Sequence, residues 1–147
     1  MSGVAIDKPL YHIGMPWQYI HSAPRLRHER ARLGDNLMWI RSAFWEGQLR
    51  PGQEKVFFAE MQNAIVPAMR KLPGVTDVKA LWPRVYEDRP RDVMCQLLVF
   101  FKDEADIALM IASDARNAVR RSVAELNSRC FDGLVSHINY EYDFAHK

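Results

Sequence analysis

Residues 93–101, VMCQLLVFF, are the most apolar run in this chain. Their number and their content of Val and Phe are typical of a β-strand. Apolar side chains occur at nearly every position, so both faces of such a strand need to be covered, as in the middle of a sheet. The sequence therefore predicts a central strand at residues 93–101.

Two strands and a helix are predicted on the N-terminal side of this run. Residues 38–45 are rich in β-branched and aromatic side chains, and residues 75–85 alternate in polarity, as strands do. Between them, five apolar residues recur at the spacing of one helix face: Phe57, Met61, Ile65, Ala68 and Leu72. Pro67 lies inside this pattern and lacks an N–H group, so the helix should kink or restart there.

A second helical stretch and a last strand are predicted on the C-terminal side. Acidic residues at 103–106 suit the first turn of a helix, and Ser113 offers a new N-cap. An apolar stripe follows, while Arg116, Arg120 and Arg121 are expected to point outward; the stripe comprises Ala115, Ala118, Val119, Val123 and Leu126. Residues 130–133 (CFDG) are predicted as a turn, and residues 134–144 alternate as a strand.

The predicted order βαββαβ is that of a ferredoxin-like α+β domain. Both helices would cover one face of a four-stranded antiparallel sheet, in which the first and last strands pair. The opposite face would then be bare although it carries apolar residues, and a patch of that kind normally meets another surface. The sequence therefore predicts a homodimer that packs sheet against sheet, a dimeric α+β barrel.

Composition excludes several classes of protein. The 147 residues suffice for one domain, and 20 basic against 18 acidic residues give a charge of only +2. A charge this small argues for neither nucleic acid nor an anionic membrane as a partner. No export signal or run of about 18 apolar residues occurs, and the two cysteines have no metal-like spacing, so a cytoplasmic protein with reduced thiols is expected. No metal, nucleotide or flavin motif predicts a cofactor.

Residues 1–37 lack the periodicity of the rest, although residues 25–32 (RLRHERAR) form a basic run. Two interpretations remain open. Either Met38 is the true start of the protein, or the segment is a genuine extension that lies across the domain or a partner. The predicted folded domain comprises residues 38–147.

Two stretches, QNAIVPAMRKLPGV at 62–75 and FKDEADIALMIASDARNAVRRSVAEL at 101–126, resemble the EthD family of dimeric α+β barrel proteins. The resemblance covers about residues 38–144. It implies a small ferredoxin-like dimer, and relatives in the wider superfamily act on aromatic, quinone-like or polyketide molecules in a cavity between sheet and helices. The family often carries a His two residues before the Pro that matches Pro67. Here that position is Ile65, so any activity of that His is either lost or performed by another group.

Three residues are candidates for catalysis or ligand binding. His137 could serve as a general base or as a hydrogen-bond donor to a ligand carbonyl, or it could be an ordinary strand histidine. Arg41 could hold an acidic or enolate oxygen, or belong to an interface salt bridge. Tyr140 could supply an acid or an oxyanion donor. Strand alternation puts His137 and Tyr140 on opposite faces, so at most one of them can line a given cavity, and we expect His137 to be that one.

The expected position of a cavity follows from Pro67. A helix interrupted there should pack less tightly and leave space near Ile65, Ala68 and Met69. Six aromatic residues could either line this space for a flat ligand or belong to core and dimer packing: Trp39, Phe44, Trp45, Trp82, Tyr140 and Tyr142. Gln96 interrupts an apolar strand and needs a partner, which could be a ligand, a water or the other subunit.

The sequence leaves three functions open. The first is a cofactor-independent enzyme, an oxidoreductase or isomerase, that acts on a small aromatic, quinone-like or carbonyl compound in a catabolic pathway. The second is a non-catalytic ligand-binding or accessory protein on the same scaffold, which the missing His favours. The third is a partner protein that docks through its basic extension. The fold alone does not decide among these.

Overall fold

The computed structural model describes residues 37–143, which form a four-stranded antiparallel sheet with helices on one face. The strands are β1 (Leu37–Leu49), β2 (Val75–Leu81), β3 (Val93–Phe101) and β4 (Phe131–Asp143). The helical segments are α1 (Glu54–Glu60), a π-helical turn (Met61–Ile65), α2 (Val66–Arg70), α3 (Glu104–Ile111) and α4 (Asp114–Cys130).

The sheet has the order β2-β3-β1-β4, so β1 and β3 lie in the middle and β4 pairs with β1 along its whole length. This arrangement confirms the predicted ferredoxin-like α+β fold, the central strand at 93–101 and the pairing of the first and last strands. Of the predicted extension at residues 1–37, only Leu37 is described, and β1 begins with it. Residues 1–36, which include the basic run at 25–32, lie outside the described residues, as do residues 144–147.

The two faces of the sheet differ in what covers them. On the helix face the β3 side chains of Cys95, Leu97, Val99 and Phe101 are almost fully buried. On the other face several large apolar side chains remain exposed in the described chain, namely Leu81, Leu134, Ile138, Tyr140 and Tyr142. We refer to this second surface as the bare face.

The helix that contains Pro67 is interrupted, as predicted. In the π-helical turn the Val66 N–H donates to the carbonyl of Met61, five residues earlier, and Pro67 then stands in the first turn of α2. A π turn contains one residue more than an α turn, which brings Ile65 and the adjacent Val66 into the core together. Ala68, which the predicted stripe included, is only half-buried.

The predicted turn at residues 130–133 is wrong. Helix α4 continues to Cys130, and β4 starts at the next residue, because Phe131 adopts an extended conformation and buries its ring in the core. Gly133 has a different role, since it faces Gly47 across the β1–β4 pair. A Cβ on Gly133 would lie 2.8 Å from the Gly47 Cα and in collision with the Glu46 carbonyl oxygen. The glycine therefore permits close approach of two backbones.

Two strand boundaries also differ from the prediction. β1 continues to Leu49, four residues beyond the expected end, because β4 offers pairing partners as far as Phe131. β2 stops at Leu81 and does not reach Val85, since Pro83 follows and has no N–H for the ladder. The predicted N-cap is confirmed, because the Ser113 side chain accepts a hydrogen bond from the Arg116 backbone N–H.

Candidate functional site

A cavity of about 470 Å³ lies between α4 and the half of the sheet formed by β1 and β4. Its floor consists of sheet side chains, among them Ala43, Val99 and Val135. Val119 and Val123 of α4 form its apolar wall. The volume is within the range of pockets that bind small organic ligands.

Four cationic or titratable side chains line the same cavity: Arg41, Arg116, Arg120 and His137. Arg116 and Arg120 are four residues apart on α4, a spacing that places them on one helix face. Arg41 pairs with Asn139, and His137 pairs with Ala43, so Arg41 and His137 are diagonal neighbours on adjacent strands. Helix and sheet thus each contribute cationic or titratable groups to one space.

The positive charges of the three arginines are not neutralised by acidic side chains in the described lining of the cavity. Among its lining residues in the described part of the chain there is no Asp or Glu. Arg41 Nη1 donates a hydrogen bond of 3.0 Å to the amide oxygen of Asn139, which is uncharged. Burial, and secondarily the charge of Arg116, lower the pKa of Arg41.

The His137 imidazole responds to the same environment. Desolvation, together with the positive charges of Arg41 and Arg116, lowers its pKa to about 4. By its surface area His137 is nevertheless an exposed residue, so solvent reaches part of it. At neutral pH the imidazole is therefore uncharged and can accept a hydrogen bond or a proton.

The end of the cavity nearer the C-terminus of α4 is fixed by a hydrogen bond between sheet and helix. The indole Nε1 of Trp45, a fully buried side chain, donates to Oδ1 of Asn127 over 3.0 Å. Trp45 and Asn127 both line the cavity. The bond ties β1 to α4 and so holds together the two elements that carry the arginines.

The structure places the three candidate residues on two different surfaces. His137 and Arg41 line the cavity, whereas Tyr140 does not, because alternation along β4 turns it to the bare face. The cavity also lies further from the interrupted helix than we expected. Met69 contributes to its edge, but Ile65 and Ala68 do not line it, since the π turn keeps Ile65 buried in the core.

Most of the aromatic set is not brought to the cavity. Only Trp45 of the six lines it, and Phe44, Tyr140 and Tyr142 belong to the bare face. Trp82 lies in a second groove beside Phe58, with the two ring centroids 4.7 Å apart. The interrupting amide of Gln96 has a partner within the chain, because its Nε2 donates to Ser42 Oγ over 3.0 Å.

The sequence reasoning missed Arg116 and Arg120 as cavity residues. The predicted buried stripe of α4 included Ala115 and Ala118, yet both are exposed. The helix is rotated about its axis relative to the prediction, so that Arg116 is half-buried. The spacing of four between the two arginines is a visible signal in the sequence. It does not give the side of the helix that faces the sheet.

We expect the pH dependence of His137 to reveal the cationic surroundings. The pKa of His137 is lower in the folded protein than in the unfolded chain. As the pH decreases, the unfolded state therefore binds a proton at His137 before the folded state does. Stability should be fully present above about pH 6.5, the ordinary value, and fall as the pH decreases towards 4. His137 is exposed, so solvent screening should keep the change small, on the order of 1 kcal/mol.

NMR titration of the His137 ring protons measures this pKa directly. We expect a value well below the ordinary 6.5 and an increase when Arg116→Gln removes one of the two charges. A value near 6.5 in the unmodified protein would contradict the described environment.

Comparison with known proteins identifies the fold. No protein-family model and no curated protein matches this sequence. Solved structures do match. One is an ethyl tert-butyl ether d (EthD) family protein from Bacillus halodurans, with a TM-score of 0.59 and 17% sequence identity. The match covers 71% of this chain and 98% of that protein. The predicted resemblance to EthD-like proteins is therefore confirmed as a structural likeness.

Two further structures are similar. A dimeric ferredoxin-like protein of unknown function from Jannaschia sp. CCS1 has a TM-score of 0.53 and 17% identity, over 71% of this chain and 99% of that one. A candidate antibiotic biosynthesis monooxygenase from Nitrosomonas europaea has a TM-score of 0.51 and 15% identity, over 74% and 92%. These likenesses define the chain as a ferredoxin-like α+β protein. Within residues 37–143, no helix is long and apolar enough to span a membrane.

Proposed function

We propose that this protein handles a small aromatic, quinone-like or carbonyl compound in the cavity beneath α4, as a cofactor-independent enzyme of a catabolic pathway. The single observation that carries the proposal is the uncharged imidazole of His137 beside the guanidinium of Arg41 in one apolar-walled space. The similar protein from Nitrosomonas europaea, described as a candidate monooxygenase, supports small-molecule chemistry on this fold.

The two groups suit chemistry next to a carbonyl. His137 can accept a proton from the carbon beside the carbonyl, and the electron pair of that C–H bond moves onto the carbonyl oxygen. Arg41 can stabilise the resulting enolate oxygen with its charge and its N–H donors. Return of the proton to a different atom would complete an isomerisation without any further reactant.

A second candidate function is non-catalytic binding of the same class of compound. A base with a pKa of about 4 is poorly matched to proton abstraction at neutral pH. Ile65 also occupies the position where EthD-like proteins often have a His. Turnover of a ligand that binds would favour the enzyme, and tight binding without turnover would favour this alternative.

A thermal-shift screen of aromatic acids, quinones and lactones tests the proposal, because a ligand that binds the folded state raises Tm. For any compound that binds, we expect His137→Ala to weaken affinity or turnover by roughly tenfold or more, equivalent to about 1.4 kcal/mol. Tyr140→Phe is the matched control, since Tyr140 belongs to the bare face. Unchanged binding and turnover in His137→Ala, with the fold intact, would exclude His137 from the site.

We further propose that the protein is a homodimer whose subunits meet through the bare face. The exposed apolar residues of that face form a surface of the kind that partners cover. The similar protein from Jannaschia sp. CCS1 is described as dimeric. Cys95 and Cys130 are buried free thiols, which is compatible with a cytoplasmic location.

A further inference from the structure

We propose that the cavity is selective for organic anions: the guanidiniums of Arg41, Arg116 and Arg120 bind a carboxylate, and the valine side chains of floor and wall pack against the apolar body that carries it. This inference rests on the proposed function, because it specifies the ligand class of the same cavity.

The first observation is the absence of a counter-charge. Several other arginines of the described chain have acidic partners: Arg129 on the same helix contacts Glu60 at 2.8 Å, and Arg50 contacts Asp132 at 2.9 Å. The three cavity arginines form no ion pair with any residue of 37–143. Like charges held together at a partly buried site destabilise one another, and a bound anion would relieve this repulsion.

The second observation is the supply of hydrogen-bond donors. The Trp45 indole can only donate, which requires Asn127 to direct its amide oxygen towards the indole. The Asn127 amide nitrogen is then left as a donor, without a hydrogen bond to any other residue of the described chain. Donors therefore predominate among the polar groups of the cavity, and the side-chain acceptors that line it within residues 37–143 are the neutral imidazole of His137 and the amide oxygen of Asn127, which already accepts from Trp45.

The third observation is the apolar remainder of the cavity. Val99, Val119, Val123, Val135 and Met110 line it together with the arginines. A guanidinium presents a planar pair of donors that matches the two oxygens of a carboxylate. A small inorganic anion would use the donors alone, whereas an aromatic or alkenyl carboxylate would also occupy the volume beside the valines.

Matched pairs of acid and amide test the inference because the two members differ chiefly in charge. The pairs are benzoate and benzamide, cinnamate and cinnamamide, and 2-naphthoate and 2-naphthamide, with inorganic phosphate as a separate arm. We expect at least one acid to raise Tm clearly more than its amide does, and more than phosphate does at the same concentration. The advantage of the acid should shrink as the salt concentration rises.

Variants locate the effect on α4. Arg116→Gln should weaken binding of the best acid by about tenfold or more, the scale of one charge-assisted hydrogen bond, and leave binding of its amide nearly unchanged. Arg121→Gln is the matched control, because this exposed arginine is on the same helix and does not line the cavity. Equal losses in the two variants would contradict the assignment.

The His137 ring gives a readout independent of affinity. A bound carboxylate between the arginines should raise the pKa of His137 towards its ordinary value, since it offsets the charges that depress that pKa. Binding of the amide should not raise it. The NMR titration of the complex therefore distinguishes a carboxylate in the cavity from one bound elsewhere on the protein.

The failures of the two proposals are distinguishable. Equal stabilisation by acids and amides, or stabilisation by neutral quinones or lactones alone, would overturn the inference about anions and leave the proposed function intact. Phosphate as effective as every acid would also overturn it, because an apolar body would then contribute nothing. If no compound of either screen binds, the proposed function itself is contradicted.

Discussion

Ile138→Glu is expected to convert a dimeric protein into monomers. Ile138 lies on the bare face opposite Ser42 of the adjacent strand, and 48% of its surface is exposed in the described chain. A dimer that packs these faces would bury on the order of 800 Å² per subunit. Placing a carboxylate in such an apolar interface costs several kcal/mol, more than most dimers of this size tolerate. Light scattering at micromolar concentration measures the result.

Leu109→Glu is the matched control for this experiment. Leu109 is an apolar residue of α3 that is 56% exposed, on an element of the helix-covered side of the sheet. The same change of residue there should leave the dimer intact. A stable monomer in the unmodified protein would contradict the dimer proposal, and a dimer that persists in Ile138→Glu would place the interface on another surface.

Gly133→Ala is expected to destabilise the folded protein by about 2–4 kcal/mol. The added methyl group would meet the backbone at Glu46 and Gly47, which β-sheet pairing holds in place and which therefore cannot move aside at low cost. Urea denaturation followed by circular dichroism measures the change in the free energy of unfolding.

Gly52→Ala provides the comparison. Gly52 has a φ of +81°, and nothing lies within 4 Å of an added Cβ. The alanine should therefore lower the free energy of unfolding by only about 1 kcal/mol, the strain of the left-handed conformation. If the two variants were equally stable, the close approach of β1 and β4 at Gly133 would not be a constraint on the fold.

Much of the fold could be predicted because its main signals are local. The apolar run at 93–101 indicated a buried strand, and the stripe of Phe57, Met61 and Ile65 indicated a helix face. These three helix residues are buried in the structure. In the strand every second side chain is buried, and the half-buried ones are Met94, Gln96, Leu98 and Phe100. Ser113 signalled a helix start through the same side-chain chemistry that the structure shows. The order of these elements was then sufficient to give the ferredoxin-like topology.

Errors arose where the local signal was ambiguous. Alanine contributes little to an amphipathic pattern, so Ala115 and Ala118 suggested the wrong rotation for the first turns of α4. At residues 130–133, Gly133 resembled a turn residue. In the structure it is a strand residue whose lack of a side chain lets its backbone approach Gly47, 86 positions earlier in the chain. No local pattern contains that information.

The candidate site was predictable only in part. The pairing of β1 with β4 places Arg41 near His137, and this followed from the topology. Arg116 and Arg120 join them only because of the rotation of α4, which depends on packing of Leu126 and Cys130 in the core. The π-helical turn likewise keeps Ile65 in the core, so the cavity lies on the α4 side of the sheet.

The π-helical turn also affects how the chain is aligned with others. Against a relative whose helix is uninterrupted, the turn amounts to an insertion of one residue within 61–65. Counting back from Pro67 matches Ile65 with the histidine of EthD-like proteins, whereas counting forward from the start of α1 matches Ala64 instead. Neither residue can transfer a proton. The resemblance therefore implies no histidine at this position in either alignment.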